Sequence, residues 1–178
     1  MSDKELIKII KEGSKNEKDE AFAALYEKYK NLVYDYARTM GIPRDLCIDF
    51  LQNVFLRVFE KISKFREDKE FFPWFFSLVR NECINFIKKN KKHMKNYSQY
   101  EELETINKEP KHEDAILIRE IRKFLNYLPY EEKEAIFLRY YQDFDVKEIA
   151  RLLNISERKV YTLIERGVEK IKKHLGLT

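Results

Sequence analysis

The sequence predicts an all-α protein, two small helical domains joined by a flexible linker. Three observations lead there. Only 4 Gly and 4 Pro occur in 178 residues, so little interrupts long helices. Apolar residues recur at helical spacing in two separate blocks. Between the blocks lies KKNKKHMKNYSQYEELETINKEPKHED, almost without aliphatic periodicity and with Pro110 near its end. This stretch reads from Asn90 to Glu113 as a basic helix end running into a linker. The expected division is therefore a folded part at 1–92, a linker at 93–113 and a second folded part at 114–178, each large enough to bury a workable core.

Composition excludes several classes. With 44% hydrophobic and 37% charged residues the chain is globular rather than disordered. A formal charge of +4 is modestly basic, which permits nucleic-acid binding without demanding it. Cys47 and Cys83 stand far apart with no CxxC and no Cys/His cluster, so neither a zinc site nor a disulfide framework is indicated, and both read as small core residues. His93, His112 and His174 have no acid or Cys partner in the sequence pattern. No Gly-rich phosphate loop, nucleophile motif or metal cluster appears, so no catalytic residue, metal or cofactor is expected. The opening MSDKELIKII carries acids and too short an apolar run for a signal peptide, and no segment approaches ~20 apolar residues, so the expectation is a cytoplasmic protein without membrane insertion.

In chain order, Ser2 and Glu5 form a capping-box signature before Leu6, Ile9 and Ile10, and Gly13 ends that short helix. After a polar stretch, Phe22, Leu25, Tyr26, Tyr29, Val33, Tyr36, Ala37 and Met40 mark a long helix stopping at Gly41. A third helix carries Cys47, Leu51, Val54, Phe55, Val58 and Ile62 on one buried stripe. A fourth is expected to start with Pro73 at its first position and to bury Phe75, Leu78, Val79 and Phe86. Four helices with short connections are most economically an antiparallel bundle. Periodicity resumes at Ala115, Ile118, Ile121, Leu125 and Leu128, and Pro129 opens a helix through Ala135, Ile136, Leu138 and Tyr140. Then Val146, Ile149, Ala150 and Leu153 form a stripe, Asn154 suits a left-handed turn, and Ser156 suits the N-cap of a last helix. That helix buries Val160, Leu163, Ile164, Val168, Ile171 and Leu175. Together the two make a helix-turn-helix candidate.

The outer faces carry the candidate chemistry. Asp49, Gln52, Asn53, Leu56 and Glu60 share the exposed side of the third helix, which taken alone reads as a solvated face. Trp74, Ser77, Asn81, Asn85 and Lys88 follow helical spacing on the fourth and combine an aromatic, amides, a hydroxyl and a cation, a mixture suited to unstacked bases and phosphates. Of Phe65, Phe71, Phe72, Trp74 and Phe76, at least half are expected to close a local aromatic core, with Trp74 and the loop from Phe65 to Phe71 left to meet bases. Arg158, Lys159, Thr162 and Arg166 point outward from the last helix, where they can enter a major groove.

Asp49-x-x-Gln52-x-x-Phe55, then Phe72-x-Trp74-Phe75, then Arg80-Asn81, in this order and at these distances, resembles conserved region 2 of bacterial sigma factors of the extracytoplasmic-function type, over roughly Phe22 to Lys92. LPYEEKEAIFLRYYQDF, VKEIARLLNIS and ERKVYTLIERGVEKIKKHL are similar to sigma region 4. The linker holds no counterpart of region 3 or region 1.1, which is itself the pattern of this type. Departures are Asn154 where the family usually has Gly, Lys159-Val160-Tyr161 where it usually has Thr-Val-Lys, and Gly167 where it usually has Ala.

The resemblance implies partners and roles. Asp49, Gln52, Asn53 and Leu56 would dock on the clamp helices of the largest subunit of core RNA polymerase. Phe65, Trp74, Ser77, Arg80, Asn81 and Lys88 would recognise the minus-10 element, and Lys88, Lys89, Lys91, Lys92 and Lys95 would touch phosphates. Ser156, Arg158, Lys159, Thr162 and Arg166 would bind the minus-35 element. Region 4 would anchor duplex promoter DNA while region 2 captures the non-template single strand, so that binding of the open strand offsets the cost of unpairing. An anti-sigma protein is a candidate further partner. Two rivals stand beside this reading. One is a helix-turn-helix regulator acting without core polymerase; the other is a non-DNA adaptor, which Glu157, Glu165 and Glu169 on the last helix would suit.

Overall fold

The computed structural model describes residues 1–94 and 123–177. The expectations for the linker beyond Met94, for Lys95 and His112, and for Ala115, Ile118 and Ile121 lie outside the described residues. All regular structure in the described residues is helical. The chain divides into two compact units, Met1–Ala37 with Arg44–Asn90, and Arg38–Pro43 with Lys91–Thr178.

In the first unit, α1 (Asp3–Glu12) starts with both halves of the capping box, Glu5 N donating to Ser2 Oγ at 3.3 Å and Ser2 N donating to Glu5 Oε2 at 2.7 Å. It buries Leu6, Ile7 and Ile10, whereas Ile9 is only half-buried. The apolar edge thus runs through Ile7 rather than Ile9. Helix α2 (Lys15–Thr39) begins well before Phe22 and takes in the segment expected to be an irregular polar stretch. Ser14 and Glu17 exchange the same reciprocal bonds, at 2.7 and 3.4 Å, so a capped start stands where no apolar signal announces one. The helix stops short of Gly41, whose φ of 96° belongs to a turn.

Helix α3 (Arg44–Lys61) buries Cys47, Leu51, Val54, Phe55 and Val58 as its period requires, with Phe50 added, and ends in a 3₁₀ turn at Ile62–Lys64. Helix α4 (Phe71–Lys89) has Glu70 at its N-cap, so Pro73 is not the first helical residue but the third. Pro is tolerated there for the same reason, since the first turn has no carbonyl to receive its N–H. Phe71, Phe75, Phe76, Val79, Cys83 and Phe86 face inward, and Leu78 is half-buried. Rings weld the helices together: Tyr29 lies 4.7 Å from Phe75, Tyr26 4.7 Å from Phe55, Tyr36 5.3 Å from Phe76 and Phe50 5.5 Å from Phe86. Each buried ring contributes about 1.5–3 kcal/mol, so this core outweighs any of the surface ion pairs. Cys47 and Cys83 are both buried and are not joined in a disulfide.

The second unit starts α5 (Tyr130–Ile136) behind Pro129 and continues into a π-helical turn, Phe137–Tyr141. The wider turn buries Phe137 and Leu138 but leaves Tyr140 58% exposed, so Tyr140 is not part of the inward line expected of it. Asp145 and Glu148 cap α6 (Val146–Leu153) reciprocally. Asn154 takes φ 54°, ψ 48°, the left-handed turn that an Asn accepts more readily than other non-Gly residues. Ser156 then caps α7 (Glu157–His174). Val160 and Leu163 of α7 are buried, and Ile164, Val168, Ile171 and Leu175 are half-buried. Leu125, Leu128 and Ile136 form a core against which Phe124 and Ile171 pack. Gly167 permits a close crossing, since a Cβ there would stand 2.4 Å from Cδ1 of Ile136.

Candidate nucleic-acid interface

Along α4, Ser77, Asn81, Asn85 and Lys88 are exposed and Trp74 is half-buried. The Trp74 ring rests on Phe65 at 5.0 Å and on Phe71 at 5.6 Å. Phe65 itself is only 5% exposed, and so is Phe71. This corrects the expectation of exposed Phe65 and Phe71 rings. Phe65 turns under the loop and meets Phe71 edge-to-face at 5.7 Å, a stabilising arrangement that removes both rings from reach of a base. Their role is to support Trp74.

Trp74 borders an open groove of about 720 Å³ lined by Lys64, Arg66, Asp68, Lys69 and Glu70 after α3 and by Pro73 of α4, so cations and acids are mixed there. Arg66 is not idle in that loop, for Asp68 holds its guanidinium through two bonds of 3.0 and 2.7 Å. Asn81 and Asn85 line a different, more polar hollow of about 410 Å³ between α3 and α4, with Arg57, Lys61 and Glu82. Arg57 donates to Glu82 at 3.0 Å and to Glu60 at 3.3 Å, and these carboxylates push its pKa up. Trp74 and Asn81 therefore share a helix row but not a hollow. Arg80 is half-buried beside the row. Lys88, Lys89, Lys91 and Lys92 are all exposed, extending the row as a basic edge.

The outer face of α3 presents Asp49, Gln52, Asn53 and Leu56, all exposed. It also presents two residues that sequence reasoning missed, Ile48 at 68% and Phe59 at 59% exposure, beside Leu56 at 58%. The spacing 48, 52, 56, 59 was the available signal: it is a second helical row with apolar residues, distinct from the core stripe. Three large apolar side chains ringed by acids and amides have the make-up of a docking surface with a polar rim.

On α7, Ser156 Oγ accepts from Lys159 N at 3.1 Å and Thr162 Oγ1 donates to Arg158 O at 3.0 Å, so both hydroxyls already serve the helix. Lys159 Nζ lies 3.3 Å from Glu131. The guanidinium groups of Arg158 and Arg166 are exposed and make no ion pair among the described residues. Tyr161, 54% exposed, adds an aromatic to this face that the candidate set omitted. Among the described residues no group of three His, Cys, Asp or Glu is placed to hold a metal, and no helix is long and apolar enough to cross a membrane.

The family model "Sigma-70 region 2" matches residues 25–93, and "Sigma-70, region 4" matches residues 118–171. The chain is similar to the ECF RNA polymerase sigma factors SigM and SigW of Bacillus subtilis. Identity to SigM is 27%, covering 83% of this chain and 91% of the relative; identity to SigW is 28%, covering 94% and 95%. Among solved structures, CnrH in complex with the cytosolic domain of CnrY aligns with TM-score 0.67 at 20% identity, over 98% of this chain and 97% of that one. RpoE bound to the anti-sigma factor NepR from Bartonella quintana aligns with TM-score 0.67 at 16% identity, over 88% and 97%. These two likenesses speak for the helical fold.

Proposed function

The chain belongs to the sigma-70 family as a sigma factor of the extracytoplasmic-function type, and from that premise we propose how its residues carry out promoter-specific initiation with core RNA polymerase. The observation that carries the reading is the presence of region 2 and region 4 matches, in that order, in one chain. A helix-turn-helix regulator working without polymerase has no use for the first of these, and that alternative is not retained.

The residues 1–92 hold the polymerase and the opened strand, 93–113 form a linker, and 114–178 hold duplex DNA. The α3 face of Asp49, Gln52, Asn53 and Leu56 meets the polymerase, with Ile48 and Phe59 supplying apolar contact that their exposure favours. Trp74 stacks on a base of the minus-10 element while Ser77, Arg80, Asn81 and Lys88 contact the same strand. Arg158 and Arg166, with Lys159, Ser156 and Thr162, bind the minus-35 element; exposed guanidinium groups on a capped helix suit a major groove. The protein carries out no reaction of its own and works in the cytoplasm, where the polymerase is. An anti-sigma protein is a fitting second occupant of its surfaces, as RpoE was solved in complex with the anti-sigma factor NepR.

Co-purification with core polymerase followed by run-off transcription tests the whole reading. Both are expected to succeed. A protein that binds promoter DNA alone, or binds polymerase without supporting a transcript, would overturn it.

A further inference from the structure

We propose that α1 is a clasp for the Trp74 groove and that Lys11 is its positioning residue. The proposal rests on the reading of that groove as the site of base capture. The region 2 match begins at residue 25, so nothing in it assigns α1 a role.

The end of α1 is tied to a residue that lines the groove, Phe65, and its start to the aromatic core behind the first turn of α4. At the start, Asp3 accepts from Lys28 Nζ at 2.7 Å and from Tyr29 OH at 2.6 Å. The Tyr29 ring in turn packs on Phe71, Phe72 and Phe75 at the beginning of α4. At the end, Lys11 Nζ donates to the backbone carbonyl of Phe65 at 2.5 Å and pairs with Glu67 at 3.2 Å. Leu6, Ile7 and Ile10 sink the middle of the helix into the core, so the clasp has a fixed base.

The loop needs such a hold. Every residue from Arg66 to Glu70 is exposed, so apolar burial does not locate it. Inside it Phe65 N donates to Ile62 O and Lys69 N to Arg66 O, at 3.1 Å each. Lys11 captures the carbonyl of the one buried loop residue, Phe65, whose ring supports Trp74 at 5.0 Å. Holding the carbonyl holds the ring, and holding the ring sets Trp74. The Lys11 side chain is only 18% exposed, where a bond from an ammonium group competes less with water.

Trp74 is the only tryptophan in the chain, so its fluorescence reports the groove without DNA. Lys11→Met keeps the stem and loses both bonds, while Lys11→Arg keeps a cation and donors. Lys11→Met is expected to raise acrylamide quenching of Trp74 about twofold in the free protein. In holoenzyme it should lower promoter opening about tenfold, the scale of one charge-assisted bond, with closed-complex formation unchanged. Lys11→Arg should restore both. Should Lys11→Met fail to fold, Lys11→Gln takes its place in the same measurements. Parental quenching in the uncharged variant, or equal defects in it and in Lys11→Arg, would overturn the clasp. Trp74→Ala, run alongside, separates the two ideas: if it opens promoters normally, the base-capture reading fails, and quenching alone decides whether Lys11 positions the loop.

Discussion

Trp74 occupies an intermediate position between core and surface, and that decides what its removal does. A fully buried Trp replaced by Ala costs about 3–5 kcal/mol; Trp74 is half-buried on Phe65 and Phe71, so about 1–2 kcal/mol is expected. Trp74→Ala should therefore stay folded yet lose promoter opening, recovering on a pre-melted template. Asn81→Ala, at an exposed site, should change stability by less than about 0.5 kcal/mol and also impair opening. Thermal unfolding beside transcription from both templates checks the pair. Tyr29 offers a titration test. Burial first, and then the bond to Asp3, push its phenol pKa up. Since the folded value lies above the unfolded one, its stabilisation is full below about pH 10 and declines as pH rises further. The stability difference between the parent and Tyr29→Phe should shrink above about pH 10; a constant difference would show that the proton is not held by the fold.

Helices α3 and α7 each display a core stripe that periodicity alone reveals, and each hides part of its outer face. The stripe from Cys47 to Ile62 is buried throughout, because a 3.6-residue repeat constrains which side turns inward. What periodicity did not reveal depends in part on other elements. Helix α2 starts at Lys15 through a capping pair in a polar stretch, Phe65 disappears beneath Trp74, and Lys11 reaches a carbonyl 54 residues away. The last two belong to tertiary contact, which no local pattern encodes; the first was written locally as Ser14-x-x-Glu17, the same capping signature as Ser2 and Glu5. For α3, changing Ile48 or Phe59 to Ser should weaken holoenzyme formation as much as changing Asp49 and Gln52 together to Ala, with little loss of stability because both apolar residues are largely exposed. Competition for core polymerase measures this. For α7, Arg158→Ala or Arg166→Ala should each reduce the salt slope of duplex binding by about 0.9. Unchanged slopes for both would exclude α7 as the DNA helix. Lys159→Ala should do less, because Lys159 is paired with Glu131 at the surface.

At the scale of the whole chain, Trp74 and Arg158, the residues proposed for strand capture and duplex anchoring, fall in separate compact units. Combining Trp74→Ala with Arg158→Ala should then lower overall initiation by the sum of the two free-energy losses, within about 0.5 kcal/mol. A larger coupling, measured in a double-mutant cycle on one promoter, would mean that the two acts are not independent. The row of Ile48, Leu56 and Phe59 on α3 bears on how the protein is handled outside its complexes. Large apolar side chains bared to solvent favour self-association once concentration rises, and the neighbouring Asp49, Gln52 and Asn53 only temper it. The unbound chain is thus a species with a solubility ceiling, and overproduction without a partner to cover α3 should drive it toward aggregates before any loss of folding sets in.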